Sequence, residues 1–213
     1  MIIAIDGPAA SGKGTLGKRV AAHYGLAYLD TGQLYRAVAR DTLAAGDDPT
    51  DAAAALKAAQ ALNPQSLDDS SLRTPELGEA ASLVARHPQV RETLRAYQRT
   101  FAHRTPGAVI DGRDIGTVIC PDADVKLFVT ATPEERARRR YLELKQNGAE
   151  VTPNEVLADI EVRDERDQNR ATAPLRMAED AVLLDTTKLD IDAAFRVAID
   201  MIDAAMGHAG QAG

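Results

Sequence analysis

The sequence has little of the chemistry that builds a disulfide scaffold or a cysteine-based metal site. Its 213 residues include one cysteine, no tryptophan, three phenylalanines and four histidines. With Cys120 alone, an intrachain disulfide is excluded, and no histidine stands at metal-ligand spacing from it. We therefore interpret Cys120 as a packing residue of a protein from a reducing compartment.

Long apolar runs and an excess of positive charge are also missing. No stretch approaches the roughly 20 apolar residues of a membrane span, and the opening MIIAIDG lacks the basic start of a signal peptide. The net charge is −7, whereas nonspecific nucleic-acid binders carry a basic footprint. We expect a cytoplasmic protein that binds neither membrane nor nucleic acid, although a few local arginines can still bind a small phosphorylated ligand.

Short apolar runs alternate with helical patterns along the chain. The apolar runs predict strands at residues 1–5, 108–110, 125–129 and 181–184. Helices are predicted over 14–24, 33–45, 51–62, 88–103, 133–147, 152–169 and 190–206, with another beginning at Thr74-Pro75. A polar loop is predicted over 63–71 and a frayed tail over 207–213. This alternation indicates an α/β fold with a mostly parallel sheet and helices on both faces, in a single domain over residues 1–213.

The most informative segment follows the first predicted strand. It has glycines framing four residues and then a lysine, the spacing of a Walker A phosphate loop: Gly7, Pro8, Ala9, Ala10, Ser11, Gly12, Lys13, Gly14, Thr15. Glycines let successive N–H groups face phosphate oxygens, and the following helix adds its positive end. The residue after the lysine is Gly14 where Ser or Thr is common, so the magnesium ligand stays open between Thr15 and Asp111, directly or through water.

Three further charged clusters follow along the chain, and the second lies beyond the end of a predicted strand, where ligands bind in open α/β sheets. The first is 30–36, in which Thr31 is a candidate helix cap and hydroxyl donor, followed by Tyr35 and Arg36. The second is 111–114, Asp-Gly-Arg-Asp. Its carboxylates can accept from an exocyclic amine, and Arg113 can bind phosphate through two hydrogen bonds. The third is 163–170.

On a helix, residues 163, 166, 167 and 170 share one face, which on its own is typical of a solvated surface laced by ion pairs. In a chain that also contains a phosphate loop, the same pattern favours another interpretation, in which Arg163 and Arg170 face the transferred phosphate and Asp167 orients them. A basic run, Arg136, Arg138, Arg139 and Arg140, suits either solvent or a closing lid.

These segments together resemble the bacterial cytidylate kinases, within the nucleoside monophosphate kinases. The matching stretches occur in family order from Ile5 to Thr187 and read IDGPAASGKGT, LDTGQLYR, SLRTPEL, DGRDIGTV, PDADVKLF, RDERDQNR and LLDTT. The resemblance implies a P-loop kinase fold with a five-stranded parallel sheet, and transfer of phosphate from MgATP to CMP or dCMP. It also implies a Mg²⁺ requirement.

The resemblance assigns site residues by motif. Donor binding falls to residues 7–15, and the catalytic set is Lys13, Arg163 and Arg170. The acceptor set is Thr31, Tyr35, Arg36, Arg73, Asp111, Arg113, Asp114, Asp167 and Arg170. Residues 36–104 form the acceptor-binding insert and 131–170 the lid region. The 63–71 stretch is too short for the small sheet that many family members have, so we expect a helical insert. The preference between CMP and dCMP as acceptor therefore stays open.

Two other functions remain open on the residues alone. One is a P-loop kinase for a non-nucleotide metabolite, which the carboxylate-rich 111–114 cluster disfavours. The other is an ATP-binding module without catalysis, which the intact Lys13 and the surplus of arginines disfavour. Because the predicted helices show no second apolar face, we expect a monomer.

Overall fold

A computed structural model of the chain describes residues 1–63, 67 and 70–209, and the side chains of residues 70, 73, 208 and 209 lie outside the described part. Contacts divide the chain into two compact units. One comprises residues 1–29 and 103–213, and the other comprises Asp30–Ala102. Most of the predicted polar loop 63–71 and the last four residues of the predicted tail lie outside the described residues.

The first unit is organised by a five-stranded parallel sheet of order β2-β3-β1-β4-β5. Its strands are β1 (Ile2–Asp6), β2 (Ala27–Asp30), β3 (Ala108–Gly112), β4 (Val125–Thr130) and β5 (Val182–Asp185). The α/β class and the parallel sheet are therefore confirmed. The strand pattern of the sequence missed β2, a four-residue strand in which only Leu29 is buried.

β1 is the central strand, with β3 on one side and β4 on the other. Every residue of β1 and β3 is buried, which explains their continuous apolar runs. Their register pairs Asp6 with Gly112, so both strands end at the same edge of the sheet. The segments that follow them, residues 7–15 and 113–119, therefore start side by side.

Eight helices lie in the described part of the chain. They are α1 (Lys13–Tyr24), α2 (Thr31–Ala44), α3 (Ala52–Gln60), α4 (Pro75–Val84), α5 (Pro88–Ala102), α6 (Pro133–Gln146), α7 (Pro153–Asn169) and α8 (Ile191–Ala209). In the first unit, α1 and α8 cover the sheet with a core that joins Leu16 and Val20 to Ile5 and Ile202. The prediction that residues 207–213 fray was wrong for 207–209, which continue α8.

The second unit is built of α2 to α5, with α2 packed against α3 and α4, and α3 against α5. Apart from Asp30, which ends β2, its described residues contain no strand, as expected for a helical insert. The predicted start of α4 is confirmed, since Thr74 Oγ1 accepts from the Leu77 N–H at 3.2 Å. The proposed cap of α2 is corrected, because Thr31 is its first helical residue and Asp30 takes the capping position.

One local element was not predicted. Residues Ile115–Ile119 form a π-helical turn, in which the N–H groups of Ile119 and Cys120 reach carbonyl oxygens five residues back. π-turns are frequent at functional sites because they redirect neighbouring side chains. Among the described residues, no helix has the length and apolarity to cross a bilayer.

A substitution at Gly7 tests how tightly the phosphate loop is joined to the sheet. Gly7 has φ +153°, and a Cβ built there would lie 2.0 Å from the carbonyl oxygen of Val129 in β4. We expect Gly7→Ala to lower the free energy of unfolding in urea by about 3 kcal/mol.

Gly148→Ala is the control for a positive φ without a close contact. Gly148 has φ +79°, and no described atom lies within 4 Å of the position that a Cβ would take. Only backbone strain opposes this change, so the expected loss is about 1 kcal/mol. Equal losses in the two variants would contradict the close approach to Val129.

Candidate active site

The phosphate loop links the end of β1 to the start of α1. Ala10 and Gly12 have positive φ, +57° and +88°, so the backbone curls twice within three residues. α1 begins at Lys13 and has no acidic residue in its first turn. No acidic side chain of the first turn neutralises the positive N-terminal end of α1, so this end attracts an anion. Ser11 Oγ is buried and forms no hydrogen bond with a described residue.

Lys13 lies folded over its own loop. Its Nζ donates to the Pro8 carbonyl at 3.0 Å and stands 3.9 Å from Asp111 Oδ1. Both side chains are over nine-tenths buried. An ammonium held by a neutral carbonyl and one carboxylate keeps the ability to bind a further anion. The sequence-predicted pairing of loop and 111–114 cluster is thus present in space.

Asp111 has a second partner that sequence reasoning missed. The hydroxyl of Tyr28, from β2, donates to Asp111 Oδ2 at 3.0 Å. The Tyr28 ring also packs on Gly17 of α1, where a built Cβ would come within 2.8 Å of Cε2. The available signal was the Ala-Tyr-Leu run after Gly25, too short and too weakly apolar to be recognised as a strand.

Three arginines from two segments converge on Asp167. Arg113 Nε donates to Asp167 Oδ2 at 2.8 Å. Burial would raise the pKa of the Asp167 carboxyl. The positive charges of Arg113, Arg163 and Arg170 outweigh that effect, so the pKa lies below its usual range. Guanidinium groups gathered in this way are the donors that bind a phosphate most strongly.

A second contact joins the arginines around Asp167 to the 111–114 segment. Arg170 Nη2 lies 3.5 Å from Asp114 Oδ1, and both side chains are 7% exposed. Arg170 Nε also donates to the Ala173 carbonyl at 2.6 Å. The 111–114 and 163–170 clusters, separated by some fifty residues of sequence, are therefore one group of charges in the first unit.

The basic run on α6 divides into two kinds of arginine. Arg138 and Arg140 pair with glutamates on their own helix. Arg136 and Arg139 reach the phosphate loop, where Arg136 Nη1 donates to the Ala9 carbonyl at 3.3 Å and Arg139 Nη1 to the Ser11 carbonyl at 3.4 Å. Arg139 also pairs with Glu135 on its own helix. The helical pattern alone did not separate the two kinds, because it does not show which face of α6 the loop occupies.

A buried carboxylate joins β1 to the π-turn. Asp6 Oδ1 accepts from the Ile115 N–H at 2.8 Å, and Oδ2 accepts from the Gly116 N–H at 2.7 Å. Burial raises the pKa of Asp6 to about 7. The two N–H donors lower the pKa, and the negative charges of Asp114 and Asp111 raise it further. The sequence pattern gave Asp6 no role in the site.

The second unit carries the remaining predicted residues. Thr31 is buried at the start of α2, and Arg36 Nη1 lies 3.8 Å from Asp30 Oδ2. The Arg91 guanidinium stands 5.7 Å from the centre of the Tyr35 ring. Arg73 ends a short 3-10 turn, Ser70–Arg73, and its side chain lies outside the described part. The roles of these four residues stay predictions.

A magnesium site has few protein candidates. In the described part of the chain, no group of three or more His, Cys, Asp or Glu is placed to hold a metal. Mg²⁺ bound with phosphates keeps several waters and needs only one or two carboxylates. Asp111, buried next to Lys13, fits that requirement, and Thr15 stands exposed in the first turn of α1.

Together, the parallel sheet, the glycine-rich loop and the arginine cluster beyond the strand ends define a kinase of the P-loop class. An experimentally determined structure of an uncharacterized protein from Eubacterium ventriosum has the same fold, with a TM-score of 0.58 at 18% identity over 96% of this chain and 98% of that one.

Sequence comparison narrows the class to one family. The cytidylate kinase family profile matches residues 3–204. The cytidylate kinase of Rhodopseudomonas palustris is 60% identical over 96% of each chain. That of Nitrobacter winogradskyi is 57% identical over 100% of each. This chain belongs to the cytidylate kinase family.

The raised pKa of Asp6 predicts a pH dependence of stability. From about pH 4 to about 7, the unfolded chain has lost the Asp6 proton while the folded chain keeps it, so stability falls as pH rises. Asp6→Asn lacks this titration. The free energy of unfolding of each protein is measured in urea at pH 4, 5.5 and 7. The value for Asp6→Asn minus that for wild type should increase as pH rises, by up to about 4 kcal/mol. Parallel profiles for the two proteins would refute the shifted carboxyl.

Proposed function

We propose that this chain transfers the γ-phosphoryl group of ATP to CMP or dCMP, giving ADP and CDP or dCDP. The observation that carries the proposal is the convergence of Arg113, Arg163 and Arg170 on a single buried carboxylate, Asp167. A cluster of arginines suits a phosphate ester, because guanidinium groups bind phosphate through paired hydrogen bonds, and the family of this chain is that of the cytidylate kinases.

The donor half of the reaction falls to the phosphate loop. Backbone N–H groups of residues 7–15 and the start of α1 bind the β- and γ-phosphates. Lys13 exchanges its bond to the Pro8 carbonyl for phosphate oxygens, a short movement for a long flexible side chain. The buried Ser11 hydroxyl supplies a further donor.

The acceptor half falls to the clusters beyond the strand ends. Arg113 and Arg170 bind the phosphate of the monophosphate, with Asp167 and Asp114 holding their guanidinium groups in place. Asp111 belongs to the same acceptor set. In the second unit we assign acceptor contacts to Thr31, Tyr35, Arg36 and Arg73. Carboxylates in the set can accept from the exocyclic amine of cytosine, which uracil lacks.

Catalysis then consists mainly of charge neutralisation and alignment. Phosphoryl transfer needs the negative charge on the moving group to be balanced while the attacking and leaving oxygens are held in line. Lys13, Arg163 and Arg170 supply that balance from this chain. Asp111 or Thr15 would hold Mg²⁺, directly or through water, and the ion would supply further positive charge to balance that of the phosphates.

We further propose that the protein acts as a cytoplasmic monomer. The single cysteine, Cys120, is buried, and the fold contains no disulfide that a reducing compartment would break. Light scattering on the purified protein should give the mass of one chain, and the mass of a dimer would refute this part of the proposal.

An acceptor panel tests the proposed reaction directly. ADP release is measured with MgATP and each of CMP, dCMP, UMP, AMP, GMP and small hydroxy acids. We expect turnover with CMP and dCMP to exceed that with the other acceptors. Turnover with a hydroxy acid alone would identify a metabolite kinase, and ATP binding without any turnover would identify a binding module.

Lys13→Met tests the donor site. The change keeps an unbranched side chain but removes the charge that the proposed transition state uses, so kcat should fall by about 10² or more. The fold should survive, since Lys13 pairs with a carbonyl and one carboxylate rather than with the core. Circular dichroism and urea unfolding check the fold. Unchanged kcat would refute the role of Lys13.

Arg113→Met tests the acceptor site. Because Arg113 faces Asp167 rather than the phosphate loop, KM for CMP should rise at least about tenfold while KM for ATP stays close to wild type. Arg196→Met, an exposed arginine on α8, is the control and should change neither constant. An equal rise in both KM values would contradict a separate acceptor role.

A further inference from the structure

Two charged residues from the sequence clusters have no place in the proposed substrate contacts. Asp164 belongs to the 163–170 cluster, and Arg136 belongs to the basic run on α6. In the structure they pair with each other, with Nη1 and Oδ1 3.0 Å apart and Nη2 and Oδ2 2.5 Å apart. Such a two-bond pairing fixes the orientation of both side chains as well as their distance.

The rest of the Arg136 guanidinium is bonded to main-chain carbonyls. Its Nε donates to Ala131 at 2.9 Å, just past the end of β4, and its Nη1 donates to Ala9 in the phosphate loop at 3.3 Å. The side chain is only 3% exposed. A guanidinium bonded on every side and buried to this degree is a fixed connection rather than a group that swings in with a closing lid.

Arg136 and Asp164 thereby connect the phosphate loop to α7. On α7, Asp164 is the neighbour of Arg163 and lies one turn before Asp167. The proposed mechanism places Arg163 at the transferred phosphate and uses Asp167 to hold the arginines of the acceptor site. The position of Asp164 relative to Ala9 therefore sets where Arg163 and Asp167 lie relative to the donor site.

The apolar contacts around the pair do not define that position by themselves. Ala9, on the loop, shares a small buried cluster with residues of both helices, namely Ala137, Leu144, Val156 and Ile160. Hydrophobic contact is non-directional, whereas the paired hydrogen bonds between Arg136 and Asp164 fix both distance and orientation. A buried ion pair is a costly element whose best-attested benefit is to select one register among several.

We propose that Arg136 and Asp164 are positioning residues for phosphoryl transfer, which hold α7 in one register against the phosphate loop so that Arg163 and Asp167 are aligned with the bound donor. The inference rests on the proposed kinase activity. It predicts that loss of the pair impairs the chemical step more than it impairs ATP binding.

Asp164→Asn is the primary test. Arg136 keeps its bonds to Ala9 and Ala131 in this variant, so the phosphate loop stays supported. We expect kcat with CMP to fall about 100-fold, as misplacement by about 1 Å can cause. The dissociation constant of a non-hydrolysable ATP analogue, measured by calorimetry without acceptor, should change less than about threefold.

Coupling between the two residues is measured with Arg136→Gln, Asp164→Asn and the double variant. If the pair acts as a unit, the double variant should be no slower than the slower single variant. Multiplicative losses in kcat would overturn the proposal. So would a kcat within threefold of wild type in Asp164→Asn, or an ATP affinity that falls in step with kcat, since either would leave the pair with a structural role alone.

Matched controls come from the same two helices. Arg138, 61% exposed, makes a two-bond pair with Glu135 on α6, and Glu161 is exposed on α7 one turn before Asp164. Arg138→Gln and Glu161→Gln should leave kcat and ATP affinity at wild-type values. Losses equal to that of Asp164→Asn would show a general charge effect and overturn the specific role.

A conservative variant keeps the test decisive if Asp164→Asn does not fold. Asp164→Glu retains the charge and moves the carboxylate by one methylene, so the protein should fold while kcat still falls with ATP affinity preserved. Wild-type kcat in Asp164→Glu would overturn the proposal. Failure of the wild type itself to phosphorylate CMP would instead refute the proposed function, so the two outcomes are distinguishable.

Discussion

The structure depends first on the parallel pairing of β1 with β3. The two strands are completely buried and run in register to the same edge of the sheet, with Asp6 opposite Gly112. This pairing brings together two segments about a hundred residues apart, the phosphate loop and the Asp-Gly-Arg-Asp segment. The Lys13 and Asp111 contact and the two bonds from the π-turn to Asp6 are direct consequences of it. Without that adjacency the phosphate loop would not meet the Asp-Gly-Arg-Asp segment.

Much of the buried charge in the first unit is organised as ion pairs, two of which contact the phosphate loop. Asp111 with Lys13, Asp167 with Arg113, Asp114 with Arg170 and Asp164 with Arg136 each bring a cation and an anion out of water. Such pairs contribute little to stability by themselves, because desolvation offsets most of the attraction. Their contribution is geometric, since each pair fixes the position of a long, flexible arginine or lysine side chain.

Much of the fold could be predicted from local patterns. The apolar runs of β1, β3, β4 and β5 and the proline starts of α4, α6 and α7 depend on neighbours in sequence, and the structure confirms them. β2 could not be recognised, because its four residues gain their strand conformation from the sheet rather than from their own composition. The π-turn at 115–119 likewise depends on Asp6, a residue more than a hundred positions away. Tyr28 and Asp6 were missed as site residues for the same reason.

The sequence by itself determined the class and the family. A phosphate loop is a local device, whose glycine spacing and lysine are sufficient to indicate its chemistry, and motifs in family order identified the rest. Only the tertiary structure decided what each arginine does. Arg136, Arg138, Arg139 and Arg140 are adjacent and chemically alike, yet one is buried against the loop and α7 while another faces solvent. The difference arises because a helix presents its residues on several faces, and which face meets a partner is set by long-range packing that no local pattern records.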